Sequence, residues 1–196
     1  MKKEVIFFRS SLGTYAFKNN IGINIEEAIE KEIRRLRHSI NTCKVLNEIS
    51  ELTYAVPKQY NQDRAMTRYF RYEFIEYEDF LSIGSAKVFF EHRFSDGYIL
   101  AIMTADKVEK EKVLRHLREL GDERIIVLLP KEEFVSEWAL LRLAAVRSLA
   151  QDEHFIEENK ALRQELDLYE EDIRYEVNER LKRDFMPENG GCYVLH

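Results

Sequence analysis

The chain has 196 residues, 45% hydrophobic, 34% charged and 12% aromatic, with a formal net charge of -6. That length suffices for one large domain or two small ones and for burying roughly 70% of the unfolded chain's surface, which excludes a disordered tail. Seven glycines and three prolines exclude collagen-like and linker-like compositions and favour helix, and no run approaches the ~20 apolar residues of a membrane span.

The N-terminus, MKKEVIFF, meets charge again at Arg9, too soon for a signal peptide, so a soluble, cytoplasmic chain is expected. From Val5 to Phe17 the stretches VIFF and TYAF flank a Ser-Ser-Leu-Gly turn signal and predict a hairpin. Asn24 and Glu27 stand at capping-box spacing, and Ile25, Ile29, Ile33, Leu36 and Ile40 recur behind them at helical period, predicting a helix over 24–38. Cys43 to Leu52 repeats that period with Val45, Leu46, Ile49 and Leu52 until Tyr54-Ala-Val-Pro57 breaks it. Asn61 to Tyr77 interleaves Arg64, Arg68 and Arg71 with aromatic residues and predicts a helix through its first half.

The block from Ala86 differs in character. KVFF, a Ser-Asp-Gly turn at 95–97 and then YILAIMTA predict a second hairpin. Lys107 to Leu120 is amphipathic and meets Gly121 where a helix stop belongs, with Asp106 placed as its N-cap; Arg124 to Leu129 is a short apolar run ending at Pro130. Strand, helix, strand in this order predicts a βαβ unit with a buried parallel pair. Glu132 and Glu133 are expected to open a buried helix running to Ala150. Leu162, Leu166, Tyr169, Ile173, Val177, Leu181 and Phe185 form one stripe on a charged segment, predicting a terminal helix of about 27 residues, 40 Å long. The acids Glu157, Glu158, Glu165, Asp167, Glu170, Glu171 and Asp172 are expected on its solvated face.

The fold class that follows is helix-rich α/β: a small mixed sheet containing a hairpin and a βαβ unit, packed by amphipathic helices with a long C-terminal helix. Residues 1–80 are expected to form a helical subregion with an N-terminal hairpin and 81–196 an α/β subregion, the two making one domain.

Chemistry is harder to find. Cys43 and Cys192 are far apart, and the five histidines are scattered singly, so no metal site and no disulfide is expected. There is no phosphate loop: Gly84-Ser85-Ala86-Lys87 has one glycine, and Pro130 and Lys131 follow the apolar run where a metal-holding Asp would be wanted. Asp96, Asp106 and Glu109 could form a nuclease-like acid cluster, but the Asp-Gly turn and the N-cap account for the two aspartates more simply. No nucleophile elbow surrounds any Ser or Cys, so neither catalytic residues nor a cofactor are expected.

Arg64, Arg68 and Arg71 are the candidate contact residues, since i, i+4, i+7 spacing puts them on one face of a helix, with aromatics beside them. Such a face can grip phosphate with forked donors while rings stack on bases. It can equally pack a polar interface through ring contacts and carboxylate pairing, the reading that an acidic chain with 36 acids favours.

Several phrases together resemble a known family: Tyr60-Asn61-Gln62 with Met66-Thr67-Arg68-Tyr69-Phe70, Asp96-Gly97-Tyr98-Ile99, Ile126-Val127-Leu128-Leu129-Pro130, and Leu149-Ala150-Gln151-Asp152 before a Leu/Glu-rich helix. Over about Val5 to Pro187 the chain resembles the interior region of large bacterial P-loop ATPases of BREX-type phage defence. It departs from them in lacking the phosphate loop. The resemblance therefore implies a non-catalytic domain beside an ATPase core that contacts a protein partner, the remainder of a larger ATPase, or DNA, and no catalytic residue carries over. The rival reading is a stand-alone metal-dependent nuclease using Asp96, Asp106 or Glu109.

Overall fold

The computed structural model describes residues 5–9, 13–18, 24–91, 94–103, 110–134, 137–157 and 160–196. In chain order its elements begin with β1 (Val5–Arg9), β2 (Thr14–Lys18), α1 (Ile25–Leu36), α2 (Thr42–Ile49), β3 (Tyr54–Ala55) and α3 (Lys58–Arg64). Then come β4 (Phe70–Glu76), α4 (Tyr77–Ser82), α5 (Lys87–Phe90), β5 (Gly97–Met103), α6 (Lys110–Leu120) and β6 (Ile125–Pro130). The last elements are α7 (Glu137–Gln151), α8 (Glu153–Glu157), α9 (Lys160–Phe185), a short 3-10 turn at Pro187–Asn189 and β7 (Cys192–Leu195). Their contacts define two units, Met1–Val45 with Ser136–Glu179 and Leu46–Val135 with Arg180–His196. No described helix is long and apolar enough to cross a membrane.

In the first unit β1 and β2 form the expected N-terminal hairpin, an antiparallel pair of its own. Helix α1 buries Ile25, Ile29 and Ile33, with acids in its first turn and Arg34 and Arg35 in its last, as its dipole favours. The expected capping box does not form. Asn24 makes no side-chain cap, and its carbonyl takes the Ala28 N–H at 3.1 Å. Glu26 is the first-turn acid with tertiary partners, accepting Arg142 Nη2 at 2.9 and 3.0 Å and the Tyr169 hydroxyl at 2.6 Å.

Helix α1 packs on α7. Ser148 donates to Glu32 at 2.6 Å, and the Arg35 guanidinium, first among the causes, joins it in holding the Glu32 carboxyl below its usual range against partial burial. Glu132 and Glu133 do not open α7: residues 131 and 132 bend, and the helix begins at Glu137. Nor is it buried all round, because Trp138 is 58% exposed while Leu140, Leu141, Leu143, Ala145, Val146 and Leu149 are covered.

Helix α9 matches the expected length closely, and its stripe is buried except for half-buried Tyr169. Its acidic side is laced with ion pairs rather than simply solvated: Arg147 holds Glu170 at 2.9 Å, and Arg163 faces Asp167 at 3.5 Å.

The second unit contains a five-stranded sheet in the order β3-β4-β5-β6-β7, parallel through β4, β5 and β6 and antiparallel at both edges. The expected βαβ unit is β5-α6-β6. All of β5 is buried, as a central parallel strand covered on both faces requires. One face of the sheet gives Tyr98, Leu100, Ile102, Ile125, Val127 and Leu129 to a core shared with Phe80, Phe89, Val113 and Leu117 from α4, α5 and α6. Phe74, in register with Ala101, belongs to the other face, where it meets the Phe185 ring edge-on at 5.7 Å. Gly121 stops α6 at φ +62°, in the left-handed region that favours glycine.

The second hairpin is not there. KVFF is the helical turn α5, which sets Phe89 and Phe90 against the Tyr98 ring at 5.3 and 5.4 Å, and β5 pairs in parallel on both sides. The N-cap position of Asp106 lies outside the described residues.

Candidate functional site

The arginines expected on one helix face are distributed over three kinds of backbone. Arg64 is the last residue of α3, Arg68 lies in the following loop and Arg71 is the second residue of β4. Ala65 turns left-handed, with φ 49° and ψ 44°, and ends the helix. Beyond it Phe70-Arg-Tyr-Glu-Phe74 alternates rings with charge, and Phe70–Glu76 pairs as a strand.

Tertiary contacts nevertheless gather these residues. The Asn61 amide clamps the loop, donating to the Arg68 carbonyl at 2.8 Å and accepting the Arg68 N–H at 3.0 Å. The guanidiniums of Arg68 and Arg64 then lie 5.7 and 6.0 Å from the centre of the Tyr60 ring. Next along the chain, Tyr69 donates its N–H to Asp96 Oδ2 at 3.0 Å and its hydroxyl to the Phe94 carbonyl, and its carbonyl accepts the Asp96 N–H at 3.2 Å. Tyr54 stands edge-on to Tyr69 at 5.3 Å and is the cross-strand partner of Arg71. Arg71 and Tyr54 line a cavity of about 70 Å³ with Asn47, Ser50, Thr53 and Tyr72. Burial, with the Glu188 and Cys192 charges adding to it, pushes the Tyr72 phenol above its ordinary range.

This is an exposed face. Tyr54 is 56% exposed, Tyr60 43%, Met66 37% and Phe94 95%. The three guanidiniums are exposed as well, and none forms an ion pair with a described carboxylate. Nearby acids are engaged elsewhere: Asp63 accepts Gln59 at 2.9 Å, Asp96 holds the Tyr69 backbone, and Glu51 meets Lys182 at 2.8 Å. Such a surface can bind an anionic group through forked donors while its rings and the Met66 thioether cover apolar groups.

Sequence reasoning singled out the three arginines but missed Tyr54 and Phe94. Tyr54 stands in a two-residue edge strand ahead of Pro57, too short to show a period, and only the fold brings Phe94 beside Tyr69. The Asp96 carboxylate serves the backbone of Tyr69, while Asp106 and Glu109 lie outside the described residues. Among the described residues no three His, Cys, Asp or Glu side chains converge as a metal site would need. Lys87 leads not into a strand but into the four-residue α5, and the Lys131 ammonium stands 5.5 Å from the Tyr193 ring. Cys43 and Cys192 are buried thiols that form no disulfide, the latter pushed up chiefly by burial. Compared with known proteins, the chain matches no family model, no curated protein and no solved structure.

Proposed function

We propose that this chain is a non-catalytic binding domain of a larger, nucleotide-driven cytoplasmic assembly in phage defence or DNA transactions, and that it holds its partner through the Arg64, Arg68 and Arg71 face. The observation that carries the reading is the set of exposed guanidiniums without carboxylate partners beside Tyr54 and Tyr60. Arg, Tyr, Phe and Met are the residues in which interface centres are enriched, because each covers much area at modest entropic cost or supplies several fixed donors. Membership of the assembly rests on the likeness of the Tyr60–Phe70 and Ile126–Pro130 phrases to the interior of large P-loop ATPases.

The test is co-expression with a large P-loop ATPase encoded in the chain's gene neighbourhood, and a neighbourhood that encodes none overturns the assembly. The wild type should co-elute with it, whereas the Arg64→Gln/Arg68→Gln/Arg71→Gln variant should elute alone with an unchanged melting temperature, since exposed cations contribute little to folding. A wild type that never co-elutes overturns the assembly, and a triple variant that co-elutes normally overturns the face. Cleavage of plasmid DNA by the purified chain with Mg²⁺ would overturn the non-catalytic assignment.

A further inference from the structure

Resting on that reading, we infer that the face takes a polypeptide, specifically an extended acidic segment with apolar side chains between its acids, and not a nucleic acid. The first observation is charge complementarity. Arg64, Arg68 and Arg71 carry positive charge that no described carboxylate pairs with, because Asp63, Asp96 and Glu51 serve Gln59, Tyr69 and Lys182. A carboxylate meets a guanidinium fork in the same bidentate geometry as phosphate, so charge alone does not choose between them.

Ring geometry does choose. Proteins that hold single strands offer open ring faces on which successive bases stack. Here the Tyr60 ring already carries Arg64 and Arg68, and Tyr54 and Tyr69 meet edge to face at 85° instead of lying as parallel platforms. What remains open is apolar and irregular: the Met66 thioether, the exposed part of Tyr54 and the Phe94 ring, a single open ring that does not make the row of platforms successive bases need. These suit aliphatic or aromatic side chains, which need contact area more than coplanarity. The global field points the same way. A chain of net charge -6 does not attract a long polyanion, whereas a short acidic segment responds to the local arginines alone.

The probes are a fluorescein-labelled peptide of about ten residues alternating Glu and Leu, its Lys-Leu counterpart, and an oligothymidylate of similar length, read by anisotropy against the full chain. The Glu-Leu peptide should bind, weaken as salt rises, and lose at least about tenfold in affinity in the Arg64→Gln/Arg68→Gln variant, with a smaller loss in Phe94→Ala. It should also displace the chain from the co-eluting ATPase. The inference is overturned if oligothymidylate binds more tightly than the Glu-Leu peptide, if the Lys-Leu peptide binds equally well, or if the arginine changes leave peptide binding intact. The two levels fail separately. If the triple arginine variant loses the ATPase but the Glu-Leu peptide does not compete, the face stands and the acidic segment falls; if that variant keeps the ATPase, the underlying reading falls.

Discussion

The side-chain amide of Asn47 pairs with both backbone groups of Phe74: the Phe74 N–H donates to Oδ1 at 2.8 Å, and Nδ2 donates to the Phe74 carbonyl at 3.0 Å. An amide side chain thus supplies the rung that β3 is too short to reach. Pairing between β3 and β4 covers Phe70 and Arg71, the Thr53 carbonyl takes the Tyr72 N–H at 2.9 Å, and Asn47 completes the row. This edge holds Arg71 and Tyr54 together, so the candidate face depends on it.

Asn47→Ala should therefore cost at least about 2 kcal/mol, since it strands a donor and an acceptor on Phe74, which is 2% exposed, at roughly 1 kcal/mol or more each. Urea unfolding should show a lower midpoint with an unchanged slope. A loss under about 0.5 kcal/mol would mean that water replaces the amide and that the rung is not structural.

How much of this was legible in the sequence depends on the length of each element. Long periodic elements were: the Ile25, Ile29, Ile33 face of α1, the stripe of α9 and the β5-α6-β6 unit all stand where their patterns put them. Short apolar runs were not. KVFF has strand-like composition, but in four residues periodicity cannot separate a helical turn from a strand, and packing on Tyr98 settles it. In β4 two patterns compete, because Arg64, Arg68 and Arg71 read as helix while Phe70 to Phe74 alternates. Ala65 decides for the strand by ending the helix. Strand β7 is four residues with only its two ends buried, so it carries no alternation to read. For the site, residue types were legible and proximity was not, since the Tyr54–Tyr69 and Tyr69–Phe94 contacts are purely tertiary.

Gly97 opens β5 in a space that tolerates no side chain. A Cβ there would lie 2.4 Å from the Phe70 ring and 2.5 Å from the Arg124 carbonyl oxygen. The ring could turn, but that carbonyl accepts the Tyr98 N–H at 2.8 Å and is fixed by the β5–β6 pairing. Gly97→Ala should therefore destabilise by about 2 kcal/mol or more, in the range of overpacked cores. Unfolding in denaturant checks it, and a melting temperature within a degree of wild type would refute the close approach.

Acid should act through Asp122. Its carboxylate accepts Arg124 Nη2 at 2.7 Å and Nε at 2.9 Å, and the Arg124 side chain is the main cause that holds its pKa below the ordinary 3.8, against a smaller desolvation effect. A carboxyl whose pKa is lower when folded contributes stability above its unfolded pKa and loses it as pH falls through the folded value. The contribution is small, under about 1 kcal/mol, because the Arg124 side chain is 55% exposed. The melting-temperature gap between wild type and Asp122→Asn should thus be constant from neutral pH to about 5 and narrow below 3.8. A gap that does not change with acid would show the pair to be energetically silent.

Two phenylalanines give opposite expectations for the same substitution. Phe185 ends α9 with no exposed surface, its ring meeting Phe74 at 5.7 Å and 85° and Phe134 at 5.7 Å and 53°. Truncating it removes two aromatic contacts and leaves a cavity between rigid rings, so Phe185→Ala should cost about 3 to 5 kcal/mol. Phe94 is 95% exposed, and its tie to the fold, the carbonyl that accepts the Tyr69 hydroxyl, belongs to the backbone and survives truncation. Phe94→Ala should therefore stay within about 0.5 kcal/mol of wild type, as surface changes do, while weakening binding of the acidic peptide. Paired urea melts of the two variants decide it: a Phe94→Ala loss above about 1 kcal/mol would place that ring in the protein's own packing and remove it from the binding face.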